Sequence, residues 1–454
     1  MSGEVVIVGG GPAGSSSALF LLEQGIQPVI VEQLAFPRFH IGESLTGAGG
    51  KAVRDLGLEE EMYRRGYPTK QGVKVFGRSP RGSWFVPVTG RNDDWELYEC
   101  DTWQVRRSDF DKMLLDRAVE KGAKLIQARA RRPILTDDGE VRGVLIRQGD
   151  GPERLIPAEV VIDCSGQATW LAGLGGITGP KYLGAYDRQI AIFSQVAGAG
   201  RDHGEAREDH PDNTLIFYQQ KYHWAWFIPL DREVVSVGVV VPSAYFLEKK
   251  ESKQEFLLRE LHELHPQLTD RMQASQLVDD VHVIPNYSYQ VRGFCGKGFI
   301  CIGDAHRFID PIFSFGVTVS MREAQIVAPL VRAYLEGAER GAANPFAEYQ
   351  RKSETAIDIL EDVLDCFWEQ PFTFAAFVHA RYREQMTDMF AGRIYERQPS
   401  ASVEAFRKVL KRERTYDESD LYSIPIGSRY HPERAPLWQA DSDMESTEEW
   451  MGPR

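Results

Sequence analysis

The run Gly9-Gly10-Gly11-Pro12-Ala13-Gly14 directly follows the β-branched segment Glu4-Val5-Val6-Ile7-Val8, the pattern of a buried parallel strand handing over to a helix. Gly9, Gly11 and Gly14 let the backbone come close to a pyrophosphate. The helix that begins around Ala13 would aim free N–H groups and the positive end of its dipole at the same anion. Ala18, Leu19, Leu21 and Leu22 give that helix an apolar face, Gly25 ends it, and Pro28-Val29-Ile30-Val31-Glu32 reads as a second strand. Glu32 lies 18 residues past Gly14, where a β-α-β unit of this kind offers a carboxylate to the hydroxyl pair of a ribose. Strand, helix, second strand and terminal acid together specify dinucleotide binding and not an ordinary tight turn.

Three further segments share the strand-then-turn design. Thr102 to Phe110 leads into an amphipathic helix, Val160-Val161-Ile162-Asp163 ends in Cys164-Ser165-Gly166, and Phe299-Ile300-Cys301-Ile302 ends in Gly303-Asp304. The last of these continues through Asp310-Pro311 and Phe313-Ser314-Phe315-Gly316-Val317 into a long apolar helix, bringing more N-terminal N–H groups to the same region. Lys70, in Thr69-Lys70-Gln71-Gly72, precedes a strand-like run, and Lys74 follows it at strand spacing as a competing candidate on the same face. Trp224-Ala225-Trp226-Phe227-Ile228-Pro229 sets two indoles two residues apart, so that a strand would present both on one face as a rigid wall.

At these residues the chain resembles flavoproteins of the aromatic-hydroxylase fold, in which a glycine-rich turn, an Arg-Ser-x-Phe-Asp helix start and a Gly-Asp segment hold FAD. The resemblance gives Glu32 the adenosine ribose, puts Arg107 beside the cofactor and Asp304 on the ribityl chain, and adds Pro311, Gly316 and Val317 to the cofactor contacts. Pro37-Arg38-Phe39-His40-Ile41-Gly42-Glu43-Ser44-Leu45 is similar to the flavin-adjacent loop of flavin-dependent halogenases, which brings in Arg38, Ile41, Gly42, Glu43 and Ser44. Trp224 to Pro229 fits the W-x-W-x-I-P signature of that family, and Lys70-Gln71-Gly72, after the helix end Leu56-Gly57-Leu58, fits its K-x-G segment. The resemblance runs from residue 1 to about residue 330.

The family's chemistry follows from the resemblance. Reduced FAD, dioxygen and halide give hypohalous acid, which is held until it meets an aromatic carbon. An inward-pointing Lys70 would do the holding, as an ammonium that hydrogen-bonds the oxidant or as a desolvated amine that takes up its halogen. Trp224 and Trp226 would separate flavin from substrate, and halide would rest on the backbone N–H groups of Phe315 and Gly316. Tryptophan halogenases carry Glu-Ser-Thr-Gly where this chain has Phe313-Ser314-Phe315-Gly316. Without that carboxylate the phenol or pyrrole branch is expected, whose rings are activated by their own hydroxyl or nitrogen. The competing readings are an aromatic monooxygenase that transfers oxygen straight from the flavin, and a non-catalytic flavin-binding protein. A single dinucleotide fingerprint implies a separate flavin reductase as partner.

The chain has 454 residues, 43% hydrophobic and 26% charged, with net charge −13. These values exclude a disordered or rod-like chain and disfavour nucleic acid as a partner. No apolar run is long enough to span a bilayer, so a cytoplasmic protein is expected. Five scattered cysteines suggest reduced thiols, and no histidine has metal-ligand spacing, so no metal is expected. The expected fold is α/β (α+β overall), with a Rossmann-like FAD-binding domain split over residues 1–72, 101–180 and 285–335. An antiparallel substrate sheet would come from residues 73–100 and 181–284, helices from 336–430, and a disordered acidic tail from 431–454. The aromatics Phe367, Trp368, Phe372, Phe374, Phe377 and Tyr382 read mainly as core. The basic stretch Arg407 to Arg414 reads as a solvated helix face, with a landing site for an acidic carrier of tethered substrate as the alternative.

Overall fold

The computed structural model describes residues 4–77, 82–184, 188–220, 222–285, 287–396 and 400–410. Its nucleotide-binding half is a six-stranded sheet in the order Cys295–Gly296, Phe299–Cys301, Val160–Asp163, Val5–Val8, Val29–Glu32, Lys124–Gln127. All neighbours are parallel except the first pair. Val5, Val6, Ile7, Ile30, Val160 and Val161 are fully buried, as continuous β-branched runs must be when helices cover both faces. The expected helix after the glycine turn is Pro12–Glu23, with Gly25 at φ +76° just beyond its end, a left-handed conformation that suits glycine. This helix packs against the long helix Gly316–Leu335. The first helix begins at the carboxyl end of the strand Val5–Val8, the edge of the sheet where ligands bind in folds of this class.

The second layer is an eight-stranded sheet. It runs Gln276–Leu277, Gln189–Ala197, Val234–Pro242, His223–Pro229, Thr214–Gln220, Gly72–Phe76, Ser83–Pro87, with His282–Pro285 also paired to Gln189–Ala197. Side chains alternate along it, but neither face is given to solvent. Ala225, Phe227, Leu215 and Phe217 face a core shared with Phe256, Leu257 and Leu261 of the helix Lys253–Glu263. Trp224, Trp226 and Ile216 face another core that includes Phe313, Phe315 and residues of the helix Ala347–Glu369. Alternation in this sheet separates two cores, not core from water.

Buried polar groups tie the carboxyl-terminal helices to the nucleotide half: Arg307 Nη2 lies 2.6 Å from Asp358 and 2.8 Å from Glu361, and one buried carboxylate gathers donors from several elements. Glu323, fully buried on Gly316–Leu335, accepts from Gly303 N (2.7 Å), His306 Nε2 (3.0 Å), Tyr349 OH (3.1 Å), Tyr395 OH (3.3 Å) and Ser353 Oγ. Burying a charge is tolerable only with this degree of compensation.

The aromatics are mainly core, with Phe367, Trp368, Phe374 and Phe377 buried, although Phe372 is 92% exposed. One expectation for this region changes. Arg407 does not belong to a solvated face: its Nε pairs with the buried Asp362 at 3.0 Å. Lys411 to Arg414 and the acidic tail lie outside the described residues. No helix among the described residues is long and apolar enough to cross a membrane.

Because five donors converge on it, Glu323→Ala is expected to cost about 3–5 kcal/mol of stability in urea denaturation. A loss below about 1 kcal/mol would show that the carboxylate is not the clamp between the two halves.

Candidate active site

The cleft along the carboxyl edge of the six-stranded sheet has the features a dinucleotide needs. A Cβ at Gly14 would lie 1.9 Å from the Gly9 carbonyl oxygen, and one at Gly9 would lie 2.3 Å from that of Cys164, so these glycines serve close backbone packing. A Cβ at Gly11 would meet only the Arg38 guanidinium, at 3.2 Å, the movable end of a long side chain and not backbone. Ala13 is buried in the first turn of Pro12–Glu23. Glu32 Oε2 accepts from Gly10 N and Oε1 from Leu34 N, both at 2.7 Å. Each oxygen keeps a lone pair for a ribose hydroxyl.

Further along the cleft, Arg107 Nε donates to Asp111 Oδ1 (2.6 Å) and Nη2 to Asp111 Oδ2 (3.0 Å), while Nη1 reaches the carbonyls of Ile41 and Gly42. Asp111 also stands 3.8 Å from Arg38. It therefore orients both arginines, and it is the closing Asp of the Arg-Ser-x-Phe-Asp helix start, at i+4 from Arg107. Val317 Cγ2 is 3.7 Å from where a Gly42 Cβ would be, and Asp304 Oδ1 is 3.9 Å from where a Gly316 Cβ would be. Burial pushes the Asp304 carboxyl up to about 7, with Arg107 pulling it down. Asp310 Oδ1 caps the turn before Phe313 by accepting from Ile312 N at 3.0 Å, which sets Pro311 and the start of the long helix. A glycine cradle, a backbone-held acid and two cations oriented over the pyrophosphate side of the cleft fit FAD.

Lys70 points inward, with 1% of its surface exposed. It ends a two-residue strand, Thr69–Lys70, paired to Thr102–Trp103, while an isolated bridge joins Ser44 to Gln104 one step along. Lys70 Nζ donates to Ser44 Oγ (2.8 Å) and Leu45 O (3.0 Å). It lines a cavity of about 20 Å³, the space of roughly one water. Thr46, Val75, Trp84, Phe313 and Phe390 are among its other walls. With no opposite charge to compensate, burial lowers the Lys70 pKa to about 7.

Lys74 does not share this environment. Gln71 separates the two short strands, and Lys74, on Gly72–Phe76, pairs with Asp209 at 2.6 Å while its neighbours Val73 and Val75 line the cavity. Strand spacing alone put the two lysines on one face; the break between the strands does not.

The indoles of Trp224 and Trp226 lie 5.8 Å apart between ring centroids at an angle of 49°. They belong to the core that contains Val75, Phe313 and Phe315. Trp226 Nε1 donates to Ser236 Oγ at 3.1 Å, and Ser236 in turn faces Glu43. Burial raises the Glu43 carboxyl to about 7, against the pull of Ser236, Arg107 and Arg106. Ser44, Glu43, both tryptophans and Lys70 are thus brought together within one buried region next to the cleft. Phe315 is buried at the cap of Gly316–Leu335, its ring 6.3 Å from that of Phe313. Sequence reasoning missed Thr214 and Phe390. Both are ordinary residues of a strand and a helix, and only the fold carries them to the site.

Comparison with known proteins agrees with this geometry. Residues 2–362 match the FAD binding domain family. A 1H-pyrrole-2-carbonyl-(peptidyl-carrier protein) brominase of Pseudoalteromonas luteoviolacea (strain 2ta16) is 35% identical, over 82% of this chain and 87% of its own length. The corresponding chlorinase of Pseudomonas fluorescens is 27% identical over 96% of this chain and 99% of its own. The solved structure of the flavin-dependent brominase Bmp2 superposes with a TM-score of 0.83 at 33% identity, covering 90% of this chain and 98% of that one.

The two kinds of glycine separate experimentally. Gly14→Ala should destabilise the fold by about 1–3 kcal/mol, because its Cβ meets backbone. Gly11→Ala should keep stability near wild type and weaken FAD binding about tenfold in a flavin fluorescence titration, because its Cβ takes up ligand space. Equal FAD affinity for Gly11→Ala and wild type would remove Gly11 from the cofactor site.

Proposed function

Since the chain belongs to the flavin-dependent halogenases, which are FAD-dependent oxidoreductases with halide as co-substrate, we propose that it halogenates a pyrrole ring presented on a carrier protein, with Lys70 as the residue that meets the oxidant. The single observation that supports this role is the Lys70 amine itself, buried in an uncharged pocket with two hydrogen bonds and a depressed pKa.

Bound reduced FAD, with dioxygen and halide, supplies hypohalous acid. Lys70 holds that acid through an N–H, and the cavity around Nζ, walled by Val75, Trp84, Phe313 and Phe390, excludes the water that would disperse it. Trp224 and Trp226 keep the aromatic ring away from the flavin. Arg38, Arg107 and Glu32 bind and orient the cofactor. Glu43, Ile41, Gly42 and Ser44 shape the loop that passes from cofactor to amine, and the N–H groups of Phe315 and Gly316 receive the halide at the start of the long helix.

The carrier substrate is supported by the two pyrrole-carrier halogenases and by the shape of the approach. Phe390, Val86 and Pro87 form a wall common to the Lys70 cavity and an open groove of about 690 Å³. An extended arm lying in that groove would bring its ring to this wall. Having one dinucleotide fingerprint, the protein takes reduced FAD from a separate flavin reductase.

Pyrrole-2-carboxylate offered on a carrier and as the free acid, with reductase, dioxygen and bromide or chloride, tests the reading by mass spectrometry. Halogenated product from the carrier form alone is expected. Product from the free acid at an equal rate would overturn the carrier assignment. Lys70→Met should abolish product while FAD reoxidation continues, and halogenation at the wild-type rate would overturn the role of Lys70.

The same variant has a stability signature. The Lys70 pKa falls from 10.5 in the unfolded chain to about 7 in the fold, so between these values the unfolded chain binds more protons and the lysine's contribution to stability rises with pH. The full burial penalty applies below pH 7. Lys70→Met should therefore raise the melting temperature, and more at pH 6 than at pH 10.

A further inference from the structure

The hydrogen bonds of Lys70 do not stop at Ser44. Ser44 Oγ is 2.8 Å from Thr214 Oγ1, and Thr214 Oγ1 accepts from Gln104 Nε2 at 2.8 Å. Gln104 Nε2 also donates to the Asp212 carbonyl at 3.0 Å. A carbonyl can only accept, so this contact fixes which end of the Gln104 amide faces Thr214. Gln104 Oε1 is correspondingly buried without a partner. Ser44, Lys70, Gln104 and Thr214 are each at most 2% exposed.

The direction of the protons along this chain depends on the charge of the lysine. If Nζ is an amine, Gln104 donates to Thr214, the Thr214 hydroxyl to Ser44, the Ser44 hydroxyl to the lone pair of Nζ, and an N–H of Nζ to Leu45 O. Every hydroxyl proton then has an acceptor. If Nζ is an ammonium, it donates to Ser44, and Gln104 still donates to Thr214. One hydroxyl proton of the Ser44–Thr214 pair is then left without an acceptor among the described residues, at the cost of an unpaired buried donor.

We propose that Gln104 and Thr214 are positioning residues which act through Ser44 to hold Lys70 as a free amine aimed into the cavity. The assignment rests on the reading of Lys70 as the group that meets the oxidant. No charged side chain takes part. The strand pair 69–70 and 102–103 brings threonines and Trp103; Gly72–Phe76 and Ser83–Pro87 bring valines and Trp84; the turn before the long helix brings Phe313, and the helix Arg383–Phe390 brings Phe390. The titratable neighbours along the chain are turned elsewhere, Glu43 to Ser236 and the arginines 106 and 107, and Asp212 to Arg201 at 3.5 Å.

Thr214→Val breaks the chain and should lower turnover about tenfold with KM for the ring substrate unchanged, whereas Thr214→Ser should restore it. Gln104→Glu replaces the donor by an acceptor and reverses the chain, so that the ammonium becomes the satisfied state. The pH at which Lys70 ionises should then rise by about one unit, and the shift should fall by about half or more in Thr214→Val/Gln104→Glu, where the relay is cut.

Two measurements read this ionisation. One is the pH profile of halogenation, whose apparent pKa moves up whichever form of the lysine is active. The other is the rate at which cyanate, which adds only to free amines, carbamylates Lys70 in the resting protein, followed by peptide mass spectrometry. The second needs neither FAD nor halide, so a protein that fails to halogenate still yields it, and failure of the function and failure of the relay are told apart. An unmoved pKa in Gln104→Glu, an equal shift in the double variant, or unchanged turnover in Thr214→Val would each overturn the proposal.

Discussion

A lysine amine buried with no counter-charge is the constraint around which the site is arranged. Desolvation disfavours the ammonium, and the fold surrounds Nζ with two neutral oxygens, Ser44 Oγ and Leu45 O, and a largely apolar shell in place of a carboxylate. A carboxylate beside Lys70 would have secured its charge. The arrangement costs stability, the usual exchange at a site built for chemistry. The Glu323 clamp and the two cores of the eight-stranded sheet offset that cost elsewhere in the molecule.

The architecture sets the cofactor cleft apart from the cavity at Lys70. The cleft at the carboxyl edge of the parallel sheet is polar, with Arg38, Arg107 and Glu32 set by backbone groups and by Asp111. The cavity at Lys70 is lined mainly by apolar side chains. Between them run the loop from Ile41 to Leu45 and the core of Trp224, Trp226, Phe313 and Phe315. Aromatic side chains suit such a partition, since they are large and lose little entropy when held in place. Phenylalanine at 313 narrows the space beside the amine, where a smaller or charged residue would have opened it or brought a charge in.

Much of this was legible before any fold was considered. The glycine turn, its helix and Glu32 at the end of the second strand are local features, each specified by residues within a few positions of one another. So were the helix starting at Arg107, the Gly303-Asp304 turn and the strand carrying both tryptophans, and the structure contains all of them. The expectation that failed concerned Lys74, where a regular two-residue period was carried across a break at Gln71. The reading of Arg407 failed for a related reason: residue type suggests exposure, but a buried neighbour, Asp362, draws the side chain in.

Local sequence thus determined the cofactor, the elements that cradle it and the lysine that the fold buries, because short-range pattern fixes strands, turns and helix ends. Which groups surround that amine was decided only by the tertiary structure. Ser44, Lys70, Gln104, Thr214 and Phe390 come from separate stretches spread over some 350 residues, joined by a bridge, a two-residue ladder and the packing of one helix. Hydrogen bonds and desolvation act through space, so no spacing along the chain could have assembled that set.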